Sequence, residues 1–257
     1  MQKFINTLQV TFNLPLHPHQ IPQWRGAVIE AAGLEHDLLH NHNNKVEQKR
    51  LSSSNGSIFD GGDTLTLAKA ILSGRKSNLH RYPLVQYRSE KGKACIFAMG
   101  EGVEVIRQWL LNNKERFWMN KREHNLMIKG LQEDQFEIKM SDKLHTYRLM
   151  DWLALNEDYY PKWRAADRLT KKVEILESAL IAHLMTFARG IDWQVPSRVN
   201  AHLFNLTSMR KVRMHDMDRI AFNVLFRANV VLPPGIALGR AVAFGYGLSM
   251  PVKKEVF

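Results

Sequence analysis

Apolar positions near the start of the chain recur at every second residue: in KFINTLQVTF (3–12), Phe4, Leu8 and Val10 share a face, which predicts a strand. From Pro22 the period becomes helical. Trp24, Val28 and Ala31/Ala32 fall on one side and Gly33 supplies a stop, so a helix is expected over 22–32. YPLVQYR (82–88) and KACIFAM (93–99) repeat the strand pattern around Lys91-Gly92, a hairpin signal. After Gly100, Val103, Ile106 and Trp109/Leu110 share a face and predict a helix over 101–113. HNLMIKGL (124–131) or DQFEIKM (134–140) can supply a closing strand.

The order β-α-β-β-α-β describes a ferredoxin-like unit, a sheet backed by two helices that also underlies RNA-recognition modules. A polar, aromatic stretch, NEDYYPKWRAAD (156–167), then leads into the most regular helix of the sequence, over 168–189. Leu169, Val173, Leu176, Leu180, Leu184 and Phe187 form its expected apolar stripe. VNAHLFNLTS and IAFNVLFRANVVLP follow as strand-like segments. The fold class expected is therefore α+β, with two tandem ferredoxin-like (RRM-like) halves of which the C-terminal is degenerate. We place the halves at 1–155 and 156–257. Residues 44–81 are mostly polar, with one short helical stretch at Leu65–Leu72, and read as a long, partly mobile insertion.

Composition narrows the partners. The 257 residues carry 36 Lys+Arg against 25 Asp+Glu, a formal charge of +11. Residues 161–257 hold 15 of those cations against 7 acids, so +8 of the surplus lies in the last third; this argues against an evenly basic surface and for a polyanion such as nucleic acid or an anionic membrane, the alternative being a chance excess of solvated charges. The single cysteine, Cys95, excludes an intramolecular disulfide and a cysteine-rich zinc knuckle. Neither a signal peptide nor a membrane-spanning apolar run is visible, so a cytoplasmic setting is expected.

Two features carry candidate chemistry. In PPGIALGRAVAFGYG, Gly235, Gly239, Gly245 and Gly247 permit positive φ and close approach of backbone N–H groups to phosphate, with Arg240 adding charge; tightly packed turns make the same demand. The segment lacks the Gly-Lys-Ser/Thr ending of a nucleotide-binding loop and the spacing of a dinucleotide fingerprint, which leaves RNA backbone as the better ligand. The second feature is five histidines within a short span: His17, His19, His36, His40 and His42. They admit three readings: a solvated surface cluster, a zinc site without an evident cysteine or carboxylate partner, and a proton-transfer site titrating near neutrality.

The glycine-rich segment resembles the C-terminal loop of the CRISPR-associated precursor-RNA endoribonucleases, members of the repeat-associated mysterious protein superfamily. YPLVQYR with GKACIFAMGEGVEVI is similar to the middle of that family, WRGAVIE to LLHNH to its first helix and catalytic loop, and VEILESALIAHLMTFARGIDW to the helix opening its C-terminal half. The insertion at 44–81 departs from the short link expected there. The resemblance implies metal-independent cleavage of CRISPR repeat RNA, with His42 and His40 moving protons and no cofactor or metal. It implies 2′-hydroxyl attack on the adjacent phosphate, leaving a 2′,3′-cyclic phosphate and a 5′-hydroxyl. Lys45, Tyr82 or Lys172 would then steady the developing charge. Further RNA contacts are expected from Lys162, Trp163, Arg164, Arg168, Lys171 and Lys172, from Arg210, Lys211 and Arg213, and from the glycine-rich segment. A non-cleaving repeat-RNA-binding subunit is the alternative function. Other effector-complex subunits and a second copy of the chain are the further partners to consider.

Overall fold

The computed structural model describes residues 2–33, 37–40, 82–112, 116–214 and 217–252. The expected insertion at 44–81, together with His36, His42 and Lys45, lies outside the described residues.

Strand β1 (Lys3–Pro15) buries Leu8, Val10, Phe12 and Leu14 on one face and Ile5 on the other, so both sides of this strand are covered. Helix α1 (Ile21–Ala32) begins at a proline in its first turn and ends at Gly33, whose φ of +76° only glycine adopts without strain. The short helix α2 is Asp37–His40. Strands β2 (Val85–Glu90) and β3 (Lys93–Met99) form the expected hairpin, with Lys91 and Gly92 both at positive φ. Helix α3 (Glu101–Asn112) buries Val103, Ile106 and Trp109. A separate two-stranded hairpin follows, β4 (Arg116–Met119) and β5 (Arg122–Asn125). The closing strand β6 (Ile128–Trp152) runs through both of the candidate segments.

In the order β2-β3-β1-β6, all antiparallel, this is the ferredoxin-like unit that the periodicity predicts. Residues 128–138 of β6 pair with β1, with an irregularity between Thr11 and Phe12. The same strand, from Lys139 to Trp152, pairs with β8 and is the first strand of the second unit.

Helix α4 (Tyr159–Ala165) forms within the stretch expected to separate the halves. The long helix α5 (Leu169–Gly190) then lies on the second sheet, and β7 (Ala201–Met214) and β8 (Met217–Val231) form its hairpin. The short β9 (Leu248–Pro251) pairs with β6, completing the order β7-β8-β6-β9. No helix of the first unit's kind stands between β8 and β9; the glycine-rich segment takes that place, and the second unit is degenerate for this reason. The apolar stripe of α5 begins later than its periodicity implies, because Leu169 is exposed and burial starts at Leu176.

One core cluster joins the halves. Leu180, Leu184 and Phe187 of α5 meet Trp152 and Phe222 of their own sheet and also Tyr82, Leu84, Phe97 and Met99 of the first unit. A second cluster, around Leu8, Val10, Trp24 and Ile96, fills the space under α1 and α3. A division at 155/156 leaves all of β6 with the first half, whereas its pairing shares it between both.

Candidate active site

Helix α1 sets one wall of the site. Trp24 is wholly buried against Phe117 and donates from Nε1 to the Cys95 carbonyl; Arg25, one residue on, points about 100° around the helix. Its Nη2 donates to the Leu39 carbonyl at 3.2 Å and its guanidinium stands 5.2 Å from the centre of the Phe244 ring. Desolvation holds Arg25 below its ordinary pKa. Arg25 thus ties α2, which ends at His40, to the glycine-rich segment.

That segment is held from below by β2. Arg88, buried, donates from Nη2 to the Gly235 carbonyl and, at 2.6 Å, to Gln86 Oε1, with its guanidinium 4.2 Å from the Phe97 ring centre. Desolvation lowers its pKa to about 10. Tyr82 donates its hydroxyl to the Ala237 carbonyl at 2.7 Å and accepts from Gln86. It is only 5% exposed, and burial raises its pKa. Expected from the sequence to face RNA, Tyr82 is instead an anchor of the glycine-rich segment, since its hydroxyl is spent inside the protein.

The glycines themselves serve close packing. Gly247 has φ +73°, and a Cβ there would lie 1.9 Å from the Leu238 carbonyl oxygen; at Gly239 it would lie 2.7 Å from the Trp152 ring. The N–H groups of Gly235, Gly245 and Gly247 donate to Ser249, Val242 and Asp151 carbonyls. Those N–H groups, read from sequence as phosphate donors, are occupied within the fold. The charge that the segment carries is that of Arg240, half-buried, whose N–H donates to the Leu153 carbonyl. Desolvation and the charge of Arg219 lower the Arg240 pKa, against the pull of Glu157.

Arg219, which the sequence reading missed, bonds Glu157 Oε1 at 3.4 Å. Its signal was the β7–β8 register, which sets it opposite Val212 in MRKVR. Behind Arg240, His183 Nδ1 accepts from Trp152 Nε1 at 3.2 Å, and desolvation, then Arg240, lowers its pKa to about 4.

The expected cationic residues occupy two neighbourhoods of the second half. Arg168 caps the N-terminus of α5 without a capping bond, and Lys171 and Lys172 lie in the next turn, where no acidic residue stands. Lys171 pairs with Glu174 at 2.9 Å, Lys172 lies 5.2 Å from the Trp163 ring centre, and Lys162 lies 5.3 Å from that of Tyr159. Arg164 is exposed on α4. On β7, Arg210 bonds Asp151 at 2.7 Å, and Lys211 and Arg213 are exposed toward the hairpin tip. His17 and His19 stack face to face at 5.6 Å on the surface before α1. Cys95 is buried and its thiol is pushed up to about 12, chiefly by desolvation. Among the described residues no group of three or more His, Cys, Asp or Glu is arranged to hold a metal, and no helix is long and apolar enough to cross a membrane.

A family model of the Cas6b N-terminal domain matches residues 73–137, and one of the Cas6b C-terminal domain matches residues 139–252. The chain belongs to the Cas6b family. It is a CRISPR-associated protein of the repeat-RNA processing group to which the sequence resemblance pointed. A crystal structure of Cas6b superposes with a TM-score of 0.74 at 16% identity, covering 97% of this chain and all of that one. A second, described as the CRISPR RNA processing endoribonuclease Cas6b, superposes at 0.65 with 15% identity and the same coverage. An uncharacterized protein of Methanocaldococcus jannaschii is 26% identical over 144 residues, 53% of this chain and 97% of its own. The two family models meet within β6, the strand that serves both halves.

Proposed function

We propose that this Cas6b chain is an endoribonuclease that cuts CRISPR repeat RNA by attack of a 2′-hydroxyl on the neighbouring phosphate, without a metal. One imidazole, of His42 or His40, takes the 2′-hydroxyl proton as the oxygen attacks phosphorus. The other returns a proton to the departing 5′-oxygen, leaving a 2′,3′-cyclic phosphate and a 5′-hydroxyl. Cations and N–H donors offset the charge that develops on the phosphoryl oxygens. The observation that carries this reading is the clamp made by Arg25, which fastens the helix ending at His40 against the glycine-rich segment of a Cas6b fold.

RNA reaches that point along the cationic second half. Arg240, Arg219, Arg164, Arg168, Lys171, Lys172, Arg210, Lys211 and Arg213 supply the charge, with Lys45 near the histidines in sequence. Gly235, Gly239, Gly245 and Gly247 shape the loop that presents Arg240, and Tyr82 secures it. Three cations at the N-terminal end of α5 oppose the helix dipole, a cost to stability that an anionic ligand offsets.

Single-turnover cleavage and RNA affinity, measured in excess chelator for His40→Ala, His42→Ala and the double variant, test the proposal. Loss of a group that moves a proton should slow cleavage by about a hundredfold or more, with affinity nearly unchanged. Cleavage within a few fold of the parent in all three would return the histidines to a surface cluster. Binding without any product from the parent protein would identify a non-cleaving RNA-binding subunit, and activity restored only by zinc would identify a metalloenzyme.

A further inference from the structure

The β4–β5 hairpin lies outside the β-α-β-β-α-β order and therefore has no part in closing either sheet. Its inner face is fixed: Phe117 and Met119 are buried, with the Phe117 ring 5.3 Å from that of Trp24 on α1. Its outer face carries Trp118, 58% exposed, two residues from Arg116 on the same strand and opposite Glu123 on the other. Tryptophan offers more apolar area than any other side chain, and this ring stands in water on a tip that takes no part in either sheet. The tip itself is Asn120-Lys121, both at positive φ, a two-residue loop in which lysine takes the place usually held by glycine.

Positive charge is concentrated in this hairpin. The hairpin, residues 116–125, contains Arg116, Lys121 and Arg122 against one acid, Glu123, a surplus of +2. Residues 1–155 as a whole carry 21 cations and 16 acids, a surplus of +5, so two of those five charges fall within these ten residues. The one acid is held by Arg116 at 3.3 Å, in a pair with both partners largely exposed, and such pairs exchange readily for another anion.

We infer that the β4–β5 hairpin is a second RNA contact, a platform on which an unpaired nucleobase stacks against Trp118 while Arg116 and Lys121 hold the flanking phosphates. An exposed aromatic ring set among cations is the arrangement by which proteins take single-stranded nucleic acid without reading its sequence. A protein partner would be better matched by a broad apolar face than by a single ring between charges. The inference rests on RNA being the ligand of this chain, and it extends the binding surface from the cationic last third into the first half. The platform lies on the flank of α1 that carries Trp24, and Arg25 on the same helix holds α2, so RNA leaving the candidate active site has this hairpin within the same half.

Binding of the full chain to CRISPR repeat RNA and to a short oligouridylate provides the test, because it can succeed or fail independently of cleavage. Trp118→Ala should weaken both by about tenfold or more, the usual loss of one stacked base, whereas Trp118→Phe should recover most of the affinity. Arg116→Gln with Lys121→Gln should flatten the salt dependence. Quenching of tryptophan fluorescence by oligouridylate should be smaller in Trp118→Phe than in the parent. Affinity unchanged in Trp118→Ala, in a variant that melts like the parent, would overturn the inference. Loss of a co-purifying protein with RNA affinity intact would overturn it too, in favour of a protein interface. If the parent binds RNA through Trp118 but cuts nothing, the cleavage proposal fails and the platform stands.

Discussion

His183 shows what a half-buried titratable group does when chemistry does not call on it. It accepts a hydrogen bond from Trp152 as a neutral imidazole, and desolvation together with Arg240 keeps it neutral down to about pH 4. In the unfolded chain a histidine titrates near pH 6.5. As pH falls through 6.5 the unfolded state gains a proton that the folded state refuses, so the contribution is complete above 6.5 and is lost progressively toward 4. The loss from this one site is on the order of 2–3 kcal/mol. His183→Gln keeps an acceptor for Trp152 without the titration, and denaturant unfolding between pH 7 and 4.5 should show a shallower decline for that variant than for the parent. Equal slopes would mean that other groups set the acid sensitivity. The same residue illustrates a limit of sequence reading: His183 sits within a helical stripe, and nothing in its neighbours along the chain reveals Trp152 or Arg240 beside it.

At the scale of elements, α5 is built against its own stability at one end. An arginine at the N-cap without a capping bond, followed by Lys171 and Lys172, sets positive charge on the positive end of a 22-residue helix. Arg168→Asp supplies both a cap and a favourable charge, and it should raise stability by about 1 kcal/mol while lowering affinity for repeat RNA. A melting temperature that rises with unchanged affinity would remove Arg168 from the binding surface. Such elements were legible in advance where periodicity was long: β1, α1, the β2–β3 hairpin, α3 and α5 follow their apolar spacing. What escaped was set by pairing rather than by period. β9 is four residues that become a strand only because β6 offers an edge, and β7 continues through MRKVR because β8 returns beside it. In the candidate site the cations and glycines stood out by composition. Their roles did not, since Arg25, Arg88 and Arg219 act across the fold on Leu39, Gly235 and Glu157.

At the scale of the molecule, the two ferredoxin-like units are not separate bodies. They share β6, and α5 of the second unit buries Leu184 and Phe187 in a cluster with Leu84, Phe97 and Met99 of the first. Shared burial of this kind predicts one cooperative unfolding transition, so damage in the second half should be felt in the first. Cys95 offers a probe of that coupling. It is the only cysteine, it is wholly buried in β3, and burial pushes its thiol up to about 12, so it reacts with a thiol reagent only when the first unit opens. Leu184→Ala removes a buried side chain 3% exposed and should cost about 2–5 kcal/mol. If opening is global, the labelling rate of Cys95 should then rise by roughly thirtyfold or more, and the rise should match the loss of stability measured by denaturant. If the halves open independently, labelling of Cys95 should stay at the parent rate while α5 loses its helical signal at lower denaturant. A first unit that protected its thiol in that way would mean that the shared strand carries little energy between the halves, and RNA gripped by the second half could not steady the helix that ends at His40.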